Sequence, residues 1–468
     1  MSMTTGNAFP MRRTGLGPKM DVVALGACAL VGIAMSPILG NAAALVINVP
    51  RRLMQVVALL TSAGFAVHAA RHLLSPAALR HSLPLRRFGY ALLGSAAFVA
   101  VRVGAALMAG ERPSLYAIFV ALATPVWMAL LLTNLIEQQH PKPAANPVHA
   151  SLNFNVFVAG LSLGIALTAY FLGPDPGEIH MGFRGSTTHV GTSAATLVAI
   201  ALAVLKGWSR VASVLLGGYL NFLATSRTGF LVLIFMVVIV VLARAREHSR
   251  AIQGTTSALR DTGLIVICAV LLVYPTRYST YYPYVSSRPG PSGARVEFLN
   301  RKLTDSDALQ QRYKRVVRLF RGPVAPDDLT FTEIQRLEAE GLADSRWTII
   351  SQTLRTIAAD PWGYWPKPFE QATTIYCGRP PVCRYPHNLA LEIGYHFGWV
   401  PFAIAAVGSV VLFFRTVMAV THPALLVRIS AITLLAYLAF AQVSGNLLDQ
   451  SLTLGFFVAW MIMRAAYP

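Results

Sequence analysis

Charge is scarce in this chain of 468 residues. Only 13% are Asp, Glu, Lys or Arg, where a soluble domain carries about a quarter. That shortage argues against an ordinary water-soluble enzyme. Acids are the scarcer sign, 20 against 39 Lys and Arg, which leaves a formal net charge of +19. Short repeats are lacking, and aromatics reach 10%, so fibrous and disordered classes are excluded. Only four cysteines are present, and Cys28 and Cys268 lie inside apolar runs as packing residues. What is abundant is apolar surface, 55% of all residues. A single polytopic membrane domain follows.

The run from Val22 to Pro50 holds no charge. It far exceeds a signal-peptide core of about 7–15 residues and reads as a first transmembrane helix. Apolar stretches of about 20 residues give about twelve spans. They lie near 20–39, 53–70, 88–109, 114–136, 152–172, 189–205, 211–224, 228–243, 262–276, 398–415, 428–444 and 450–466. The fold class is therefore all-α, with both termini on one side.

Basic residues fix the orientation. With a cytoplasmic N-terminus, the termini and inner connections hold 17 Lys/Arg, against 5 on the short outer connections (Arg51, Arg52, Arg112, Arg184 and Arg227). That is the positive-inside bias. Much of the net charge then follows from topology, and nucleic acid is not a partner. Arg102, inside the third span, is the exception; intramembrane charges are functional or snorkel outward.

One outer connection is long. Residues 277–397 are polar and carry 16 Lys/Arg, a length that is usually functional. The chain divides into N-terminal spans 1–276, an extracytoplasmic loop domain 277–397 and C-terminal spans 398–468. Thr304 to Phe320 reads as a basic amphipathic helix carrying Arg312 and Arg315, either lying at the interface or docking an anionic acceptor. Asp305 and Asp307 match a metal-binding DxD, but acids at a helix start serve the dipole, so no metal is assigned. Cys377 and Cys383 could close a small disulfide loop in an oxidising compartment.

A second helix is expected over about Ser345–Ala359, with Trp347, Ile350, Leu354 and Ile357 on its apolar face and Asp360-Pro361 ending it. Arg346 stands in its first turn, where a cation opposes the helix dipole; Asp344 or an anionic ligand would compensate. Then comes RYPHNLALEIGYHFGWVPF. Asn388 can cap a short helix that Gly398 ends. His387 precedes that N-terminus, where the dipole favours a neutral imidazole. It either accepts a proton from a sugar hydroxyl or hydrogen-bonds its own loop. Glu392 is placed to orient His387 or His396.

Pro386-His387-Asn388-Leu389 followed by Leu391-Glu392-Ile393-Gly394 resembles the signature of the bacterial O-antigen ligase and polymerase superfamily. Ser226-Arg227-Thr228-Gly229 resembles its second motif. Asp344-Ser345-Arg346-Trp347 and Asp360-Pro361-Trp362-Gly363-Tyr364-Trp365 resemble the segment ahead of the histidine. The likeness covers roughly residues 150–445. The PWGYWPKPF stretch departs from a Gly-rich pattern, and the Cys377–Cys383 insert is unusual.

The resemblance implies an inner-membrane glycosyltransferase with its site on the periplasmic face. Its donor is a glycan on undecaprenyl diphosphate, and its acceptor is lipid A-core (a ligase) or another lipid-linked glycan (a polymerase). It implies neither metal nor cofactor. His387, Arg346 and Arg227 fall on the catalytic positions. Arg184, Arg102, Asn388, Glu392, Arg312 and Arg315 are candidate substrate contacts. A transporter or flippase is the rival class, although the halves show no internal repeat.

Overall fold

In a computed structural model, the described residues are 22–39, 151–161, 187–223, 227–248, 345–364, 388–444 and 451–466, with a few isolated positions between. The expected spans near 53, 88, 114 and 262 lie outside them. So do the 304–320 helix, Arg102, Arg184, Arg312, Arg315, Cys377, Cys383 and His387.

Every described element is a helix. In chain order they are α1 (Val22–Ala34), α2 (Ser151–Leu161), α3 (Thr187–Val204), α4 (Gly207–Leu223), α5 (Arg227–His248), α6 (Ser345–Ala359), α7 (Leu389–Phe397), α8 (Trp399–Ala419), α9 (Leu425–Ser444) and α10 (Ser451–Ala466). Two of them, Trp399–Ala419 and Leu425–Val443, are long and apolar enough to cross a bilayer. At about 1.5 Å per residue such helices match the roughly 30 Å hydrocarbon thickness.

The helices α3 and α9 form the centre, packed on each other and on α1 and α5. Small residues make α3 a good centre. A Cβ on Gly217 of α4 would sit 2.7 Å from Val198 and 3.1 Å from the Ala194 carbonyl. Backbones approach this closely only over such residues. The buried Thr192 and Thr196 hydroxyls donate to carbonyls of their own helix, Thr188 O at 2.9 Å and Thr192 O at 2.8 Å, which satisfies them in an apolar setting. Tyr437 of α9 ties three helices together: its hydroxyl meets Ser193 Oγ at 3.0 Å and donates to Ala34 O at 3.2 Å. Cys28 packs between α1 and α2 as expected. Its thiol donates to Ser151 O at 3.2 Å, and Asn155 Nδ2 donates to Cys28 O at 2.9 Å.

By contrast, α8 buries little. Val400, Ile404, Val407, Val411, Phe414 and Met418 are exposed along it. An apolar stripe of that size suits hydrocarbon rather than water.

The bundle has two chemically distinct ends. At one, arginines reach the last carbonyls of α3. Arg244 Nη1 donates to Leu202 O at 2.7 Å, Arg428 Nη1 to Ala203 O at 3.5 Å and Arg210 Nε to Leu205 O at 2.8 Å. Those carbonyls lack intrahelical donors and carry the negative end of the dipole. The other end gathers the starts of α3, α5 and α7 with the end of α9.

Candidate active site

The loop after α6 is clamped onto the α7–α8 junction. Trp399 N donates to Pro361 O at 3.0 Å and Tyr364 N to Tyr395 O at 2.8 Å. Two glycines permit the approach. Gly363 and Gly398 have φ of 88° and 85°, and a Cβ on Gly398 would fall 2.0 Å from Pro361 O. Beneath the clamp, Ile349, Ile357, Leu391 and Tyr395 form a small core of their own. The Tyr364 ring stacks on Tyr395 at 5.5 Å. Burial, with Tyr364 beside it, pushes the Tyr395 phenol above its usual range, so it packs as a neutral ring. Ile350, Leu354 and Ile357 pack as the periodicity requires; Ile349 joins them, and the Trp347 side chain is outside the described set.

Asn388 performs the capping read from the sequence. Its Oδ1 accepts from Leu391 N at 3.0 Å, and Gly398 ends the helix. Its Nδ2 donates to Gln442 O at 2.9 Å, tying the start of α7 to the end of α9. Glu392 and His396 lie one turn apart on α7, 1% and 5% exposed.

The first turn of α5 is fixed by a different pair. Gly229 lies against Gly191 of α3, where an added Cβ would meet Gly191 Cα at 2.6 Å. Asn221 Nδ2 donates to Gly191 O at 2.7 Å and to Gly229 O at 2.9 Å. This crossing holds the backbone that bears Arg227. We expect Gly229→Ala to part α3 from α5, lowering stability by about 1–3 kcal/mol and slowing any reaction that needs Arg227. Thermal melting in detergent checks this against Gly32→Ala, whose Cβ would meet nothing within 4 Å.

An apolar cavity of about 740 Å³ opens beside these elements. Leu231 and Phe235 of α5, Ile350 and Leu354 of α6, and Asn388 and Leu391 at α7 line it. The register is informative. Leu231 follows Arg227 by four residues, and Ile350 follows Arg346 by four. Positions four apart share a helix face, one turn of about 5.4 Å apart. Positions 227 on α5 and 346 on α6 each precede a cavity-lining residue by one turn, and Asn388 lines the cavity too.

The sequence reading missed His189. Its ring sits 4.7 Å from Phe440, two residues before Gln442, to which Asn388 is bonded. It also missed Asn221. Each lay within an apolar span, and a Gly-Asn pairing across two spans leaves no local signature.

Residues 212–406 match the family described as O-antigen ligase. The match spans 195 residues, less than half of the chain. The match runs from α4 into α8 and contains all three motif segments. No curated protein matches the chain. The match supports a ligase- or polymerase-type function, glycosyltransferase-like and membrane-associated. The substrates of that family in general are a lipid-linked glycan and lipid A-core.

Proposed function

We propose that the protein joins a glycan carried on undecaprenyl diphosphate to lipid A-core, working at the periplasmic face of the inner membrane. The carrying observation is the apolar cavity at the starts of α5, α6 and α7. A polyprenyl chain is an apolar ligand with a charged head. It needs an apolar recess rimmed by cations, and the Arg227 and Arg346 positions stand one turn from the recess wall. The remaining topology completes the proposal: about twelve spans, cytoplasmic termini, and residues 277–397 as a periplasmic domain. Arg184, Arg102, Arg312 and Arg315 contribute to anionic substrate binding in it.

The reaction breaks the bond from the anomeric carbon to the diphosphate oxygen and forms one to an acceptor hydroxyl oxygen. The hydroxyl proton passes to His387 and then to water, and undecaprenyl diphosphate leaves. Charge grows on the diphosphate as its bond breaks, so arginines aimed there bind the transition state better than the ground state. The guanidinium fork matches phosphate oxygens. No step calls for a metal, since Arg227 and Arg346 take up the leaving charge.

A deletion strain tests the assignment. The expected result is core lacking O-antigen, with long chains stranded on undecaprenyl diphosphate. Single repeats attached to core would instead make the protein a polymerase. Failure of the purified protein to transfer glycan between lipids in detergent, where no compartments exist, would point to transport.

A further inference from the structure

Six of the seven buried threonines among the described residues have bonded hydroxyls. Thr192, Thr196, Thr353, Thr416 and Thr433 donate to the carbonyl four residues back, and Thr453 donates to Tyr437 O. Thr228 is the exception. It is 1% exposed, and its Oγ1 has no hydrogen-bond partner among the described residues. Its place in the chain explains this. Thr228 is the second residue of α5, so position 224, four residues back, precedes the helix. A hydroxyl left so is costly in an apolar setting, and valine would fill the same volume without that cost.

Two features say what the hydroxyl can meet. The Cα–Cβ bonds of a helix tilt toward its N-terminus, which aims a residue of the first turn at the open end. That end carries the positive pole of the dipole, where anions bind. Residues 187–246, which cover α3, α4 and nearly all of α5, contain no Asp or Glu to oppose an anion. Thr228 also shares a helix face with the apolar cavity. Leu231, Val232 and Phe235, which line the cavity, follow it at three, four and seven residues, the spacing of one face. The turn is held in place by Asn221 of α4, whose Nδ2 bonds Gly191 O and Gly229 O. An apolar chain in the cavity with its anionic head at the start of α5 would carry that head to Thr228.

We propose that the Thr228 hydroxyl donates a hydrogen bond to a non-bridging phosphoryl oxygen of the polyprenyl diphosphate, a donor additional to the two arginines. This rests on the reading of the cavity as the carrier-lipid site and goes beyond it by assigning a further residue to the head. The bond needs no glycan, so it holds the carrier before and after transfer.

The test measures binding of undecaprenyl diphosphate and of undecaprenol to the full chain in detergent, together with melting of the ligand-free protein. Thr228→Val should bind undecaprenyl diphosphate about 10–100-fold more weakly, the worth of a hydrogen bond to a charged group. It should bind undecaprenol as the wild type does, and melt no lower. Thr228→Ser keeps the hydroxyl and should bind the diphosphate as the wild type does. Equal diphosphate binding by Thr228→Val and the wild type overturns the proposal and leaves the carrier reading standing. So does an equal loss of undecaprenol binding, or weak diphosphate binding by Thr228→Ser, since packing would then be the cause. A lower ligand-free melting temperature for Thr228→Val also overturns it, because the hydroxyl would then serve the fold, through a buried water for example. A wild type that does not bind undecaprenyl diphosphate overturns the carrier reading and the proposal with it.

Discussion

Replacing Gly398 with alanine should detach α6 from the bundle and abolish transfer. The residue sits at φ 85°, ψ −171°, a region open essentially to glycine alone and costing other residues about 1–3 kcal/mol. The steric problem is larger. The new Cβ would lie 2.0 Å from Pro361 O and 2.8 Å from the Pro361 and Trp362 carbonyl carbons. These are backbone atoms that no side-chain rotation can move. Relief requires breaking the Trp399 N bond to Pro361 O, and with it the neighbouring bond from Tyr364 N to Tyr395 O. The small core of Ile349, Ile357, Leu391 and Tyr395 then loses its closure. A loss of about 3 kcal/mol or more is expected, with protease sensitivity of α6. Gly408→Ala in α8 is the control, since its Cβ would meet nothing within 4 Å. Equal melting temperatures for the two variants would show that the clamp does not secure α6.

The clamp also marks where sequence reading stops. Helix α6 runs from Ser345 to Ala359 and α7 from Leu389 to Phe397, as read in advance. Asn caps, Asp-Pro stops and C-terminal glycines act through neighbouring backbone and are legible locally. The partners of Gly363 and Gly398 are not local, because the two segments meet across more than 30 residues of chain. Helix ends run past the charge-free spans for another reason. A charge-free rule starts the α4 span after Arg210 and stops the α5 span before Arg244, yet the helices begin at Gly207 and extend to His248. Both arginines stay within their helices because their long side chains turn back to the end of α3, so charge did not interrupt the helix. The Arg227, Arg346 and His387 motifs were legible as motifs. The cavity beside the first turns of α5 and α6 depends on several helices packing together, which no spacing within one segment encodes.

His387→Ala is expected to cut transfer by about 10²–10⁴-fold, the usual contribution of a general base, while leaving the melting temperature unchanged. The neighbouring Asn388→Ala separates chemistry from scaffolding. Asn388 caps α7 through Leu391 N and holds Gln442 O on α9. Its loss removes a cap worth about 1 kcal/mol and frees the start of α7, so rate and stability should fall together. In His387→Ala the cap and the tie remain, so the rate alone should fall. The contrast is read by comparing transfer in membranes with detergent melting curves. Transfer retained by His387→Ala would remove the imidazole from the proposed mechanism and leave the proposed arginines to act by charge and placement alone. If His387→Ala instead melts as early as Asn388→Ala, the histidine belongs to the loop's scaffold, and the proton acceptor must be sought among the other imidazoles at this end, beginning with His189 beside Phe440.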